Sequence, residues 1–597
     1  TLDGAISDFA TACAWCTIDA SGITAALTSF TSNNTSEAAW VNTVADAFEA
    51  AGGGDGGIST VSDEAIAACL EAAGVAENRK PLDVASPQIM GDPQTSGYAD
   101  DPVNTTTGNF VEPEADLVFT GAAASLGFER VYNSVSTSHD SDGAPGAFGP
   151  GWSSTADERL VVDDEGATWV RATGRHVVFP RAGAGWGRAV GENLWLEALD
   201  AAGTGADDTA SAGGDDPAAD NDDGTAAGAC DAGGFVVSDN EGGRWCFDVA
   251  GRPAWWSRGA GTRVERSYDS SGRLAGLAHE RGRGVDVVWD GAGSRIAALV
   301  ARDGRRADFS YDSSGRLVGV TRSGGGARRY EWGEDSGRIE RVIDADGVVE
   351  VDNAYDEAGR VVRQRSAFGR VSHYSYLPGG VTQVADADGS RANVWVHDAR
   401  GRLTGMIDAA GNRQSIGWDR WGNRVMITGR DGGRTINQYD ERGRLSVRVA
   451  ETGARFDYDY DDADRVVRVR ADDGSGAAVT AYEYAGADRN PRMITDPEGG
   501  VTRLDWQDGL LVGVVDPVGV RVRLGYDEHG ELTSVTNAVG DTARLERDGA
   551  GRITASITPS GRRTQYRYDA AGNLVSRRDP DGATWRWEHT PGGRVRA

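Results

Sequence analysis

Tyr268-Asp-Ser-Ser-Gly-Arg-Leu274 recurs letter for letter as Tyr311-Asp-Ser-Ser-Gly-Arg-Leu317. Close variants stand at Tyr355-Asp-Glu-Ala-Gly-Arg-Val361, His397-Asp-Ala-Arg-Gly-Arg-Leu403, Tyr439-Asp-Glu-Arg-Gly-Arg-Leu445 and Tyr568-Asp-Ala-Ala-Gly-Asn-Leu574. Weaker copies, several led by Trp, fill the gaps. The register runs from Phe247 to His589, and eleven of its sixteen intervals are 21 residues, the others 20 to 24. A fixed period held over so long a stretch marks a repeat architecture.

Each unit can be read from its residues. After the aromatic, Asp can accept hydrogen bonds from the backbone just ahead of it, and Gly takes a positive φ without steric cost, so Asp-x-x-Gly-Arg is a turn. The flanking segments alternate. Val520, Val522, Leu524 and Tyr526 share one face with Arg521 and Arg523 on the other, and Trp585 and Trp587 oppose Arg586 and Glu588. A second turn lies mid-unit, as in Asp344-Ala-Asp-Gly347, Asp386-Ala-Asp-Gly389, Asp496-Pro-Glu-Gly499 and Asp579-Pro-Asp-Gly582. Two turns and two short strands make one β-hairpin per repeat. A lone hairpin is unstable, so neighbours must pair edge to edge into one long, twisted sheet.

The Tyr-Asp-x-x-Gly-Arg-Leu period resembles the YD repeat of RHS proteins, a family that includes bacterial polymorphic toxins, the B and C components of insecticidal toxin complexes, and animal teneurins. The likeness covers about Phe247 to Ala597. A second block, Asp101-Pro-Val-Asn104, Thr107-Gly-Asn-Phe110, Leu126-Gly-Phe-Glu-Arg-Val-Tyr-Asn-Ser134 and Phe148-Gly-Pro-Gly-Trp152, resembles the β domain (DUF6531) that precedes the repeats in bacterial RHS toxins. The resemblance implies a mainly all-β chain whose hairpins form a spiralling sheet, part of a β-cocoon, around a C-terminal toxin domain. The family's self-cleaving closing core and a toxin domain are both absent from this sequence, which is still in phase at Ala597. Cleavage and toxicity are therefore implied for a longer protein only.

The expected division is a helical segment at 1–90, a DUF6531-like β domain at 91–202, an acidic insertion at 203–229 and the array at 230–597. In the first segment Trp40, Val44 and Phe48 share a helical face. Ser62 can cap a second helix whose apolar stripe is Ile66, Cys69, Leu70 and Ala73. The insertion is Gly, Ala and Asp almost throughout, which reads as a solvated, disordered loop. It lacks the Gly and Glu positions of an EF-hand-type calcium loop.

Eighty-four Gly beside seventeen Trp, sixteen Tyr and thirteen Phe suit tight turns between aromatic strands, not a linker that buries nothing. The formal charge of −30 disfavours a nucleic-acid partner. Lys80 is the only lysine, a bias of genomic rather than chemical character. No run of eighteen or more apolar residues suggests a transmembrane helix. Five cysteines are too few for a disulfide scaffold. Cys230 and Cys246 flank a Gly-rich stretch and could pair across a hairpin in an oxidising compartment. Cys13 and Cys16 form an isolated CxxC that suits local pairing or burial better than zinc.

The chemistry-bearing residues do not assemble into a catalytic motif. The seven histidines form no HExxH pair, and His397 and His589 occupy the aromatic position of a repeat, a packing role. Gly151-Trp-Ser-Ser-Thr155 lacks the closing Gly of a nucleophile elbow. Most carboxylates sit in turns, so no hydrolase pair stands out. No cofactor and no metal site is expected, and the chain is read as a non-enzyme. The reading is the structural shell of a secreted polymorphic toxin of intercellular competition, enclosing a toxin domain that lies outside this sequence. The alternative is a cell-surface or wall-associated adhesin whose repeat aromatics bind glycans. Both place the protein outside the cell or on its surface.

Overall fold

A computed structural model describes residues 90–91, 93–136, 146–199, 233–258 and 262–596. The expected helices before residue 90 and the acidic insertion lie outside these residues. The described residues within 84–384 and 392–597 form one compact unit. Thirty-five antiparallel strands join in a single sheet whose spatial order is the order of the chain, from Leu194–Ala198 to Thr584–Arg586.

The repeat motif works as a relay of local bonds. In Asp312-Ser-Ser-Gly-Arg316, one Asp312 carboxylate oxygen accepts the amides of Ser314 and Arg316, both at 2.9 Å. The other accepts Arg316 Nε at 2.7 Å. Gly315 closes the turn at φ 74°. The Arg316 guanidinium then lies 5.5 Å from the ring centroid of Trp332, the aromatic of the next unit. Trp332 Nε1 in turn donates to the carbonyl of Leu317, fifteen residues back, at 2.8 Å. The same bond recurs from Tyr268, Trp289, Tyr311, Tyr376, Trp418, Tyr460, Trp506, Tyr526 and Tyr568. A donor-bearing ring thus serves most units, which explains the excess of Tyr and Trp over Phe, with Phe247 at the start of the register lacking the donor. Arg547 replaces the ring and still bonds Leu532 O, at 3.1 Å.

A β-bulge follows each of these turns, as where Ser310 pairs with Gly319 but Tyr311 with Leu317. Bulges strengthen local twist, and repeated in phase they curl the sheet. It winds back on itself. The His529 ring Nδ1–H donates to Arg281 O at 2.7 Å, and Thr590 Oγ1 to Asp346 at 2.7 Å. These pairs are separated by 248 and 244 residues, so one turn takes roughly twelve units. The mid-unit turns of one pass meet the Tyr-Asp turns of the next. The Asp344-Ala-Asp-Gly347 turn does more than reverse the chain, because Asp344 and Asp346 both hold Arg594.

The domain boundary expected at 230 moves. Leu194–Ala198, assigned to the β domain by sequence, pairs with Phe235–Asp239 and opens the sheet. The acidic insertion therefore interrupts the first hairpin of the array instead of preceding it. Leu194 and Leu196 are buried with Val237 and Phe247, which is the physical reason the strand joins this sheet. Val522, Leu524 and Tyr526 share a face as expected, whereas Val520 lies in the preceding turn and is exposed.

Ahead of the array, Val111–Ala115, Glu129–Asn133 and Trp152–Ser154 form a three-stranded sheet, and Arg159–Val162, Gly166–Val170, His176–Ala182 and Gly185–Trp186 a four-stranded one. Phe110, Phe128, Tyr132, Phe148 and Trp152 share one hydrophobic cluster with array residues from Trp256 to Trp395. The β domain thus covers the inner face of the first turn. Beyond Met406 this hydrophobic cluster ends, and the buried hydrophobics among the described residues there are Val447 and Ala555. Equivalent positions make the difference plain. Val320, opposite Phe309, is 1% exposed, and Val535, opposite Leu524, is 37% exposed.

Candidate functional site: the seal between the β domain and the array

The β domain meets the array at one repeat position again and again. The residue after the motif arginine donates its amide to Ala147 O from Ile296 (3.0 Å), to Gly108 O from Val361 (3.0 Å) and to Thr95 O from Leu403 (2.7 Å). Ile339 donates to the Tyr132 hydroxyl at 3.1 Å. In the opposite direction, Leu160 donates to Gly251 O at 2.8 Å. The β domain therefore reads the period of the repeat, using backbone groups spaced to match it.

Glycines allow this approach. Gly149, in the Phe-Gly-Pro-Gly-Trp block, has φ 91°, and a Cβ there would lie 2.4 Å from the carbonyl oxygen of Gly315 in the second Tyr-Asp-Ser-Ser-Gly-Arg-Leu turn. Gly108, at φ 72°, abuts Arg360 in the same manner. The two sequence blocks that carried the family resemblance are thus pressed against each other.

A buried charge cluster sits at the centre. Arg130 is fully buried and grips Asp116 through Nε (2.6 Å) and Nη2 (3.1 Å), with its guanidinium 4.6 Å from the Trp152 ring. Arg322 reaches from the array to Glu114 (3.0 Å) and Asp116 (2.9 Å). Arg328 serves Glu112, Glu114 and Glu350, and Tyr330 donates to Glu114. Burial works against the charge of Glu114 and Asp116, yet the guanidiniums, Arg130 foremost, hold both carboxyls below their ordinary range. Glu112 differs. Burial, with the neighbouring Glu114 charge, pushes it up to about 7 against the pull of Arg328.

His397, read from sequence as a packing residue, closes the far side. Its Nδ1–H donates to Gly380 O at 3.0 Å, and its Nε2 accepts from Thr105 Oγ1 at 2.9 Å. Burial lowers its pKa to about 4, so the ring is neutral. Sequence reasoning could not find Arg130 or Glu112, because nothing in Phe-Glu-Arg-Val marks one arginine among sixty-one basic residues as buried.

The remaining sequence candidates fall elsewhere. Cys246 is buried and disulfide-bonded; Cys230 lies outside the described residues, as do Cys13, Cys16 and Cys69. Ser154 of the elbow-like stretch donates to the half-buried Asp157 at 2.6 Å, a bond that fixes the turn into the next strand. Among the described residues, no three His, Cys, Asp or Glu side chains are grouped to hold a metal ion, and no helix is long and apolar enough to cross a membrane. What the arrangement does is fasten the β domain to the first turn of the sheet.

Comparison with known proteins bears on both halves of this seal. Residues 100–179 match the domain of unknown function DUF6531, and 505–542, 547–584 and 569–596 match the RHS repeat. The toxin protein Tse5 of Pseudomonas aeruginosa is 30% identical over 183 residues, 26% of this chain and 14% of that protein. The double-stranded DNA deaminase toxin A of Burkholderia cenocepacia is 32% identical over 126 residues, 21% of this chain and 9% of that protein. The chain thus spans a small part of either toxin's length. Among solved structures, a Tc holotoxin pore of Photorhabdus luminescens aligns over 60% of this chain and 24% of its own, at 14% identity and a TM-score of 0.38. A TcdB2–TccC3 complex aligns over 81% and 33%, at 14% identity and a TM-score of 0.31.

Proposed function

We propose that this chain, an RHS/YD-repeat protein of the polymorphic-toxin type, is the wall and one end-closure of a shell that holds a toxin domain in a secreted protein of bacterial competition. It acts by enclosure, without catalysis of its own. The supporting observation is the contrast along the inner face. The β domain fills the first turn, while further on the same apolar positions stand partly open, as Val320 and Val535 exemplify. An apolar, concave surface of this extent suits a polypeptide held against it.

The adhesin alternative asks for repeat aromatics free to stack on sugars. Their ring donors are instead tied to carbonyls of the preceding unit, which favours the shell. The test attaches a passenger polypeptide after Ala597 and follows its proteolysis. Protection of the passenger, beyond that of the same passenger alone, is expected. Equal cleavage rates, or specific micromolar binding to a glycan array, would count against the shell.

A further inference from the structure

We propose that the seal is pH-responsive and that Glu112 is its trigger: the β domain is held most tightly while this carboxyl carries a proton, and its hold loosens when the carboxyl ionises. This rests on the closure role given above. The geometry is one of unequal sharing. Glu112 and Glu114 lie on the strand Val111–Ala115, with Asp116 just beyond it. Three guanidiniums face them. Asp116 is held by Arg130 and Arg322, and Glu114 by Arg130, Arg322 and Arg328. Glu112 has Arg328 alone, and that group is shared with Glu114 and with Glu350 from the strand Val349–Tyr355.

The cluster thus sets four carboxyls against three guanidiniums, and Asp101 on the incoming segment adds a further negative neighbour. Tyr330 donates its hydroxyl to Glu114, and the hydroxyl of Tyr132, the cross-strand neighbour of Glu112, accepts from the Ile339 amide. Glu112 is 6% exposed, so water cannot solvate the surplus charge. A buried charge without its own partner is neutralised by a proton instead.

The sign follows from linkage. The folded-state pKa of about 7 lies above the ordinary 4.5, so the proton's stabilising contribution is full below 4.5 and is lost as pH rises through 7. Between pH 6.5 and 8.5 His397 stays neutral, and Glu112 titrates with a loss of about 4-fold in the closed-to-open ratio.

The experiment reads hydrogen exchange of the strands Val111–Ala115 and Glu129–Asn133 in the whole chain, corrected for intrinsic rates and referenced to the strand Arg521–Tyr526. Wild type should lose about 4-fold protection from pH 6.5 to 8.5, and Glu112→Gln should be flat. Asp101→Asn, which removes one repelling charge at an exposed site, should move the wild-type transition to lower pH, and it serves if Glu112→Gln does not fold. A flat wild-type profile with strong protection would overturn the pH response while leaving closure intact, and a slope retained in Glu112→Gln would do the same. Exchange in the β domain as fast as in an unpacked domain at both pH values would overturn closure and this inference together.

Discussion

Tyr311 donates its hydroxyl to the carbonyl of Ile296 at 2.7 Å, and the amide of that same Ile296 donates to Ala147 of the β domain at 3.0 Å. One peptide position therefore joins two units of the array to each other and the array to the β domain. Because the bond from ring to carbonyl recurs along the sheet, the β domain could dock on a row of equivalent positions held rigid by the repeat itself.

Tyr311→Phe keeps the ring and removes the donor, leaving the Ile296 carbonyl unpaired. A local loss of about 1–3 kcal/mol is expected. Native-state hydrogen exchange of Ile296–Ala301 and Arg306–Tyr311 measures it better than a global melt, since a repeat array opens in parts.

Gly149→Ala should detach the Phe-Gly-Pro-Gly-Trp block. The new Cβ both takes φ 91° and meets Gly315 O at 2.4 Å, so a cost above about 2 kcal/mol is expected. Gly304→Ala, at the same φ of 91° with nothing within 4 Å, bears the backbone strain alone. Thermal unfolding of the two variants should separate contact from strain, and equal losses would refute the contact.

Arg130→Met should destabilise the seal by about 3–5 kcal/mol, because Asp116 keeps a buried charge that Arg322 alone must offset. Adding Asp116→Asn should return part of the loss, and a double-mutant cycle read by denaturant unfolding measures the coupling.

The His397 edge should weaken in acid, opposite in sense to Glu112. Its folded pKa of about 4 lies below the ordinary 6.5, so the neutral ring's contribution is complete above 6.5 and is lost as pH falls towards 4. Exchange of the Thr105 amide, which donates to Gly97 O, should speed up across that window. No change there would refute the assignment.

Arg594 bridges Asp344 and Asp346 across successive turns while half exposed. Salt should therefore fray the strand Thr584–Arg586 more than strands within the first turn. Limited proteolysis at rising ionic strength tests this, and a salt-independent pattern would show that the contact contributes nothing.

Asp312 and Gly315 were legible from sequence because their partners lie within four residues, whereas the aromatic position of Tyr311 was read only as packing, and its bond to the Ile296 carbonyl appears once the strands are paired. The Phe-Gly-Pro-Gly-Trp block was legible as a family mark but not as a contact, since Gly149 meets Gly315 across 166 residues of chain. Leu194–Ala198 was assigned to the wrong side of the boundary because the acidic insertion separates it from its pairing partner.

The sequence alone determined the unit: a hairpin whose two turns and alternating strands are fixed by interactions within about one period, so that repetition amplifies a local rule into a legible signal. Tertiary structure alone decided the rest. The winding brings residues some 250 apart into contact, and the return distance depends on small twists summed over many strands. No spacing of letters records that sum. The charge balance around Glu112 was decided there too, because burial and the sharing of Arg328 exist only once the β domain lies against the sheet.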